Sequence, residues 1–139
     1  MNRRNFLILS SLSLALSKLS FAKGIESKNA LVLENVFEIL FPKTKTMPSA
    51  KEFGATHYLI KNVQNRYFDI EDANLIIQGT IDFENSFPNF IHAPIKEQEQ
   101  IIHTASQNEY GNEWLTKLIR YGFEALLSDP IYGGNINQI

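Results

Sequence analysis

No cysteine occurs among the 139 residues. That absence excludes disulfides, thiolate zinc sites, iron–sulfur clusters, a lipobox cysteine and a CxxCH haem attachment. There is no excess of positive charge either, with 13 Lys and Arg against 15 Asp and Glu. A near-neutral chain lacks the clustered basic surface of a nucleic-acid ligand, so no nucleic-acid partner is expected. The sequence holds no GxGxxG, GxxxxGK[ST] or GxSxG, so nothing marks dinucleotide, nucleotide or serine-esterase chemistry. Any flavin must sit on another chain. What is present is ordinary for a globular protein: 44% hydrophobic and 20% charged residues, in a length typical of one domain.

The charge is unevenly spread. Residues 1–22 hold Arg3, Arg4 and Lys18 and no acid, which leaves 10 basic and 15 acidic side chains beyond them. Arg3 and Arg4 precede Asn5-Phe6-Leu7, an apolar stretch runs from Phe6 to Leu16, and Ser20-Phe21-Ala22 closes it with small residues. A basic start, a short apolar run and a small-x-small end make a signal peptide over 1–22. The uncharged interval Asn5 to Ser17 is shorter than the roughly 20 residues of a relaxed membrane span. The paired arginines with Phe6 and Leu7 behind them resemble the twin-arginine (Tat) signal, with Ala22 at the cleavage end. The Tat translocase carries proteins already folded. A signal of this kind without a cofactor motif points to a carried partner.

The body, residues 23–139, reads as an all-α domain of about five helices. Leu33, Val36, Phe37 and Leu40 predict an apolar face on a helix over Ser27 to Leu40, stopped by Pro42. Ser49 and Glu52 form an S-x-x-E start for a second helix, with Phe53, Leu59, Ile60, Val63 and Tyr67 as its buried side. Gly54 lies within it and reads as a close helix contact. Asp69 and Asp72 open a third helix carrying Leu75, Ile76 and Phe83. Pro94 fits the first turn of a fourth, with Ile95, Gln98, Ile101, Ile102 and Ala105 following it and Gly111 at its end. Asn112 then caps a last helix over Glu113 to Leu127, where Leu115, Leu118, Ile119, Gly122 and Leu126 give the apolar stripe. Ser128-Asp129-Pro130 terminates it.

Side chains that could carry chemistry are sparse. Glu99 and His103 share a helix face, and His92 and His57 could complete a three-ligand metal set. No tight ligand motif such as HExxH holds them together, and they read first as an exposed ion pair with solvent-facing imidazoles. The carboxylate pairs Glu109 with Glu113 and Asp82 with Glu84 read as solvated faces. Gly133-Gly134 and Asn135 allow a tight backbone turn after Pro130.

Phe123-Glu124-Ala125-Leu126-Leu127-Ser128-Asp129-Pro130-Ile131-Tyr132-Gly133-Gly134-Asn135 closely resembles the signature of the gluconate 2-dehydrogenase subunit 3 family. Leu40-Phe41-Pro42, Pro48-Ser49-Ala50 and Gly54 resemble its first block, and the twin-arginine start is common in it. The resemblance implies a small subunit of a periplasmic, inner-membrane-associated complex. Its partners are then a large FAD-dependent dehydrogenase subunit of the glucose–methanol–choline (GMC) type and a cytochrome c subunit carrying haem c. The large subunit oxidises gluconate, or another sugar acid or polyol, and passes electrons to the cytochrome. The small subunit assists assembly and Tat export of the flavoprotein. The family assigns no catalytic residue, so none is transferred, and no cofactor or metal is expected in this chain. Asp129, Pro130, Tyr132, Gly133, Gly134 and Asn135 are the partner-interface residues the resemblance implies. Family members continue past the Gly-Gly-Asn with a Gly-Trp and a Gly-Tyr-Pro-Gly-like stretch, so the resemblance implies a shortened tail before Ile139.

Two other readings stay open on the residues alone: a stand-alone periplasmic helical binding protein, and a small enzyme using His103 with Glu99 and a metal. The signal reading has a direct check. Exchanging Arg3 and Arg4 together for Lys is expected to hold the chain in the cytoplasm, measured by cell fractionation. Undiminished export of the double variant would count against a twin-arginine signal.

Overall fold

Asn29, Val32, Leu33, Val36 and Phe37 recur at three- and four-residue steps, and all five are buried on helix α1 (Ser27–Leu40). The structure is a computed structural model that describes residues 27–128. After α1 come α2 (Ala50–Phe53), α3 (Ala55–Val63), α4 (Ile70–Ser86), a 3-10 turn (Phe90–His92), α5 (Ile95–Ser106) and α6 (Glu109–Leu127). The described residues form an all-α domain with no strand among them. Helix α1 touches every other element, so its apolar face lies at the centre of the core.

Local chemistry sets most helix starts. The Ser49 side chain accepts from the Glu52 N–H at 3.3 Å, as the S-x-x-E pattern predicts. The Glu52 carboxylate also takes Lys43, at 2.7 Å. Asp69 caps α4 by accepting from the Asp72 N–H at 3.0 Å. Pro94 precedes α5 in an extended conformation.

Two boundaries differ from the sequence reading. The second predicted helix is two helices, because Gly54 adopts φ 78° and ψ 34°. That left-handed conformation ends α2, with the Gly54 N–H donating to Ala50 O at 3.0 Å, and α3 then starts at Ala55. Helix α6 begins at Glu109, four residues before the predicted start. Asn108, not Asn112, is its cap, and its Oδ1 accepts from the Gly111 N–H at 2.8 Å. Gly111 therefore lies inside α6, while α5 stops at Ser106.

Helices α4 and α6 run antiparallel, since Asp72 meets Tyr121, Thr80 meets Trp114 and Asp82 meets Tyr110. Trp114 is fully buried and its indole packs on Phe83, with ring centroids 5.0 Å apart. The indole N–H donates to Thr80 Oγ1 at 3.3 Å, and the Thr80 hydroxyl donates to Ile76 O at 2.7 Å. Gly79 makes room for this ring. A Cβ there would lie 2.5 Å from Trp114 Cδ1.

Two effects oppose each other at Gly79. Alanine gains roughly 1 kcal/mol of helix propensity. Overpacking a dense core costs about 1–3 kcal/mol. The ring has no solvent-facing side to move into, so steric cost wins. Gly79→Ala is expected to lower unfolding free energy in urea titration; an unchanged or raised midpoint would show that Trp114 is not held against α4.

Candidate functional site

The two segments that carry the sequence-based assignments lie outside the described residues. They are Arg3, Arg4, Phe6, Leu7 and Ala22 at one end, and Asp129, Pro130, Tyr132, Gly133, Gly134 and Asn135 at the other. What the structure does place is the helix that leads into the second of them.

Helix α6 has two apolar sides. Leu115, Leu118, Tyr121, Gly122 and Ala125 face the core. Ile119, Phe123 and Leu127, spaced four apart, form a second stripe on the outer side, where they are 38%, 47% and 82% exposed. The sequence reading assigned Ile119 to the buried stripe; the structure puts it outside. Phe41 is the reason. Its ring lies over Gly122, where a Cβ would come within 2.6 Å of Phe41 Cζ, and it meets Phe123 edge-on at 5.2 Å. Phe41 closes the core at that line, and the residues beyond it stay uncovered. The i, i+4, i+8 repeat of Ile119, Phe123 and Leu127 was visible in the sequence, but periodicity alone does not say which of two adjacent stripes is covered.

The stripe ends where α6 ends. Ser128 is extended (φ −82°, ψ 158°), and its hydroxyl donates to Ala125 O at 3.1 Å. Asp129 is the next residue.

The candidate chemistry-bearing residues are dispersed. His57 lies on α3, His92 in the 3-10 turn and Glu99 and His103 on α5, all exposed. Among the described residues no group of three or more His, Asp or Glu is arranged to hold a metal ion. Glu109 and Glu113 are exposed on α6. Asp82 corrects the solvated reading: it is 2% exposed. It accepts from the Tyr110 hydroxyl at 2.9 Å and from Gln78 Nε2 at 3.3 Å, while Glu84 pairs with Lys28 at 3.1 Å. Tyr67, read as buried, is 80% exposed in the turn after α3.

A groove of about 480 Å³ lies between α4 and α6 and is lined by Asp72, Leu75, Tyr110 and Lys117 among others. Asp72 is already engaged there. Lys117 Nζ lies 3.1 Å from one of its oxygens, and the Tyr121 hydroxyl donates to the other at 2.5 Å. Its chemistry is that of a helix clasp. Burial, then the hydrogen bond and charge of Asp72, raise the Tyr121 phenol above its usual range, against a smaller opposing effect of Arg120. Burial and Glu124, at 3.5 Å, likewise raise Tyr58.

No described helix is long and apolar enough to cross a membrane. Comparison with protein-family models, curated proteins and solved structures finds no match for this chain.

The clasp has a pH signature. A raised phenol keeps its proton in the folded state where the unfolded chain loses it. Its stabilisation is therefore complete below about pH 10 and falls as pH rises above that value. Tyr121→Phe is expected to flatten the alkaline decline of stability, measured by urea unfolding on both sides of pH 10. An identical decline in the variant would remove Tyr121 as its source.

Proposed function

We propose that this chain is the non-catalytic small subunit of a periplasmic FAD-dependent complex of the gluconate 2-dehydrogenase type. In this reading the GMC-type large subunit oxidises gluconate, or a related sugar acid or polyol, on its own FAD. Electrons then pass to haem c in a cytochrome c subunit. This chain contributes binding: it assists assembly of the flavoprotein and carries it through the Tat translocase. The complex is associated with the inner membrane on the periplasmic side.

The observation that carries the reading is continuity. The exposed stripe of Ile119, Phe123 and Leu127 runs directly into Ser128 to Asn135, the stretch that resembles the family signature. An apolar helix face joined to a segment with an aromatic and two glycines suits docking. Tyr132 is the anchor in this proposal, since Tyr is enriched at binding hot spots. Gly133 and Gly134 let the partner's backbone approach closely. Asp72 and the buried Asp82 are engaged in holding α4 to α6, which also supports a binding role.

Affinity recovery of this chain from its native periplasm tests the reading. The expected eluate contains a large flavoprotein, with flavin absorbance and sugar-acid dehydrogenase activity. Tyr132→Ala is expected to lower that recovery at least severalfold, with the thermal melt of the isolated chain unchanged. A colourless eluate holding this chain alone would overturn the subunit reading, and full recovery with Tyr132→Ala would remove Tyr132 as the anchor.

A further inference from the structure

We propose that α6 carries a short relay for one oxidising equivalent: an electron lost from Trp114 is replaced from Tyr110 or Tyr121, and the phenol proton passes to Asp82 or Asp72. The first observation is alignment. Trp114 lies four residues after Tyr110 and seven before Tyr121, close to whole turns, so the three rings share one side of α6. All three bond to α4 from that side. The rises between them are about 6 Å and about 10.5 Å at 1.5 Å per residue, with Trp114 in the middle.

The hydrogen-bond partners set the direction. The Trp114 indole donates to the Thr80 hydroxyl at 3.3 Å, and that hydroxyl donates onward to Ile76 O. A hydroxyl is too weak a base to take the indole proton. An indole that has lost an electron here therefore stays a cation and keeps its oxidising power. The tyrosines differ, because each donates to a carboxylate: Tyr110 to Asp82 at 2.9 Å and Tyr121 to Asp72 at 2.5 Å. A carboxylate at hydrogen-bond distance can accept the proton as the electron leaves. Burial holds the Tyr121 phenol neutral beyond its usual range, so its electron leaves together with its proton.

The step balances. A one-electron oxidant takes one electron from Trp114. A tyrosine returns one electron to the indole cation, its O–H bond breaks, and an O–H bond forms on the aspartate. The products are the reduced oxidant, an intact Trp114, a neutral phenoxyl radical and a carboxylic acid. Two other tyrosines lack this arrangement. Tyr67 is 80% exposed and is held by Arg66, a cation that accepts no proton. Tyr58 lies on α3 and meets Glu124 at 3.5 Å. The inference rests on the contact of α4 with α6 and is independent of the subunit reading.

Trp114 is the only tryptophan, so a flash at the red edge of indole absorption starts the relay at a known place. Dissolved oxygen takes up the ejected electron as superoxide. Transient absorption of the purified full chain then follows the indole and phenoxyl radicals. The indole radical is expected to decay as the phenoxyl radical rises, at a rate independent of protein concentration and slower in heavy water. With Tyr110→Phe and Tyr121→Phe together, the indole radical should persist severalfold longer, although Tyr58, Tyr67 and Tyr132 remain. Asp72→Asn with Asp82→Asn keeps an acceptor but removes the base, and should slow the refilling roughly tenfold or more. Circular dichroism checks each fold, and the single variants give the same readout where a double variant does not fold. An indole lifetime unchanged by loss of the two tyrosines would overturn the relay, as would phenoxyl formation that scales with protein concentration. Unaltered refilling in the asparagine variants would overturn the transfer of the proton to the aspartates.

Discussion

The approach of α4 to α6 around the Trp114 ring is the contact on which the rest of the structure depends. Gly79 has no Cβ, so the indole can lie directly against the α4 backbone. That closeness lets the indole N–H reach Thr80 and lets Phe83 stack on the ring. It also sets the separation at which Tyr110 reaches Asp82 and Tyr121 reaches Asp72. A wider spacing would take the Tyr110 hydroxyl away from the buried Asp82 carboxylate, and losing a donor there is costly in a low-dielectric interior. One missing methyl group therefore holds together an aromatic cluster and two polar clasps.

A second ring plays a comparable part at the other side of α6. Phe41 sits over Gly122 and touches Phe37, Phe53 and Phe123. It links the end of α1 to α2 and α6 and marks where the core stops. The loop after it is closed by the Ala50 N–H donating to Phe41 O at 3.0 Å. The Lys51 N–H also donates to Glu38 at 2.6 Å, so α2 is fastened to α1 by main chain as well as by packing. Beyond Phe41 the surface of α6 remains apolar and open. The functional proposal starts from that surface and assigns it to a partner in the complex.

The short-range chemistry of the helices was legible in the residues. Ser49 with Glu52 and Asp69 with Asp72 are local arrangements, decided by side chains within three positions of the backbone groups they satisfy. The α1 face was readable because its apolar spacing is unbroken. The candidate docking helix was readable in part: its stop at Ser128 follows from Pro130, whereas its cap was read as Asn112 and is Asn108, four residues earlier.

By itself, the sequence determined that the domain is helical, where most helices begin and how α6 ends, because capping, proline and 3.6-residue periodicity act between neighbours in the chain. It also carries the signal-like start and the Ser128 to Asn135 resemblance, which are properties of residue order. Tertiary structure decided the rest. Gly54 became a junction because α2 and α3 are separate helices that each pack on α1. Asp82 became buried because Tyr110 comes to it from 28 residues away. Ile119 and Phe123 became surface because a ring from the end of α1 closes the core before reaching them. Each of these depends on which distant group fills the space beside a residue, and local spacing holds no record of that.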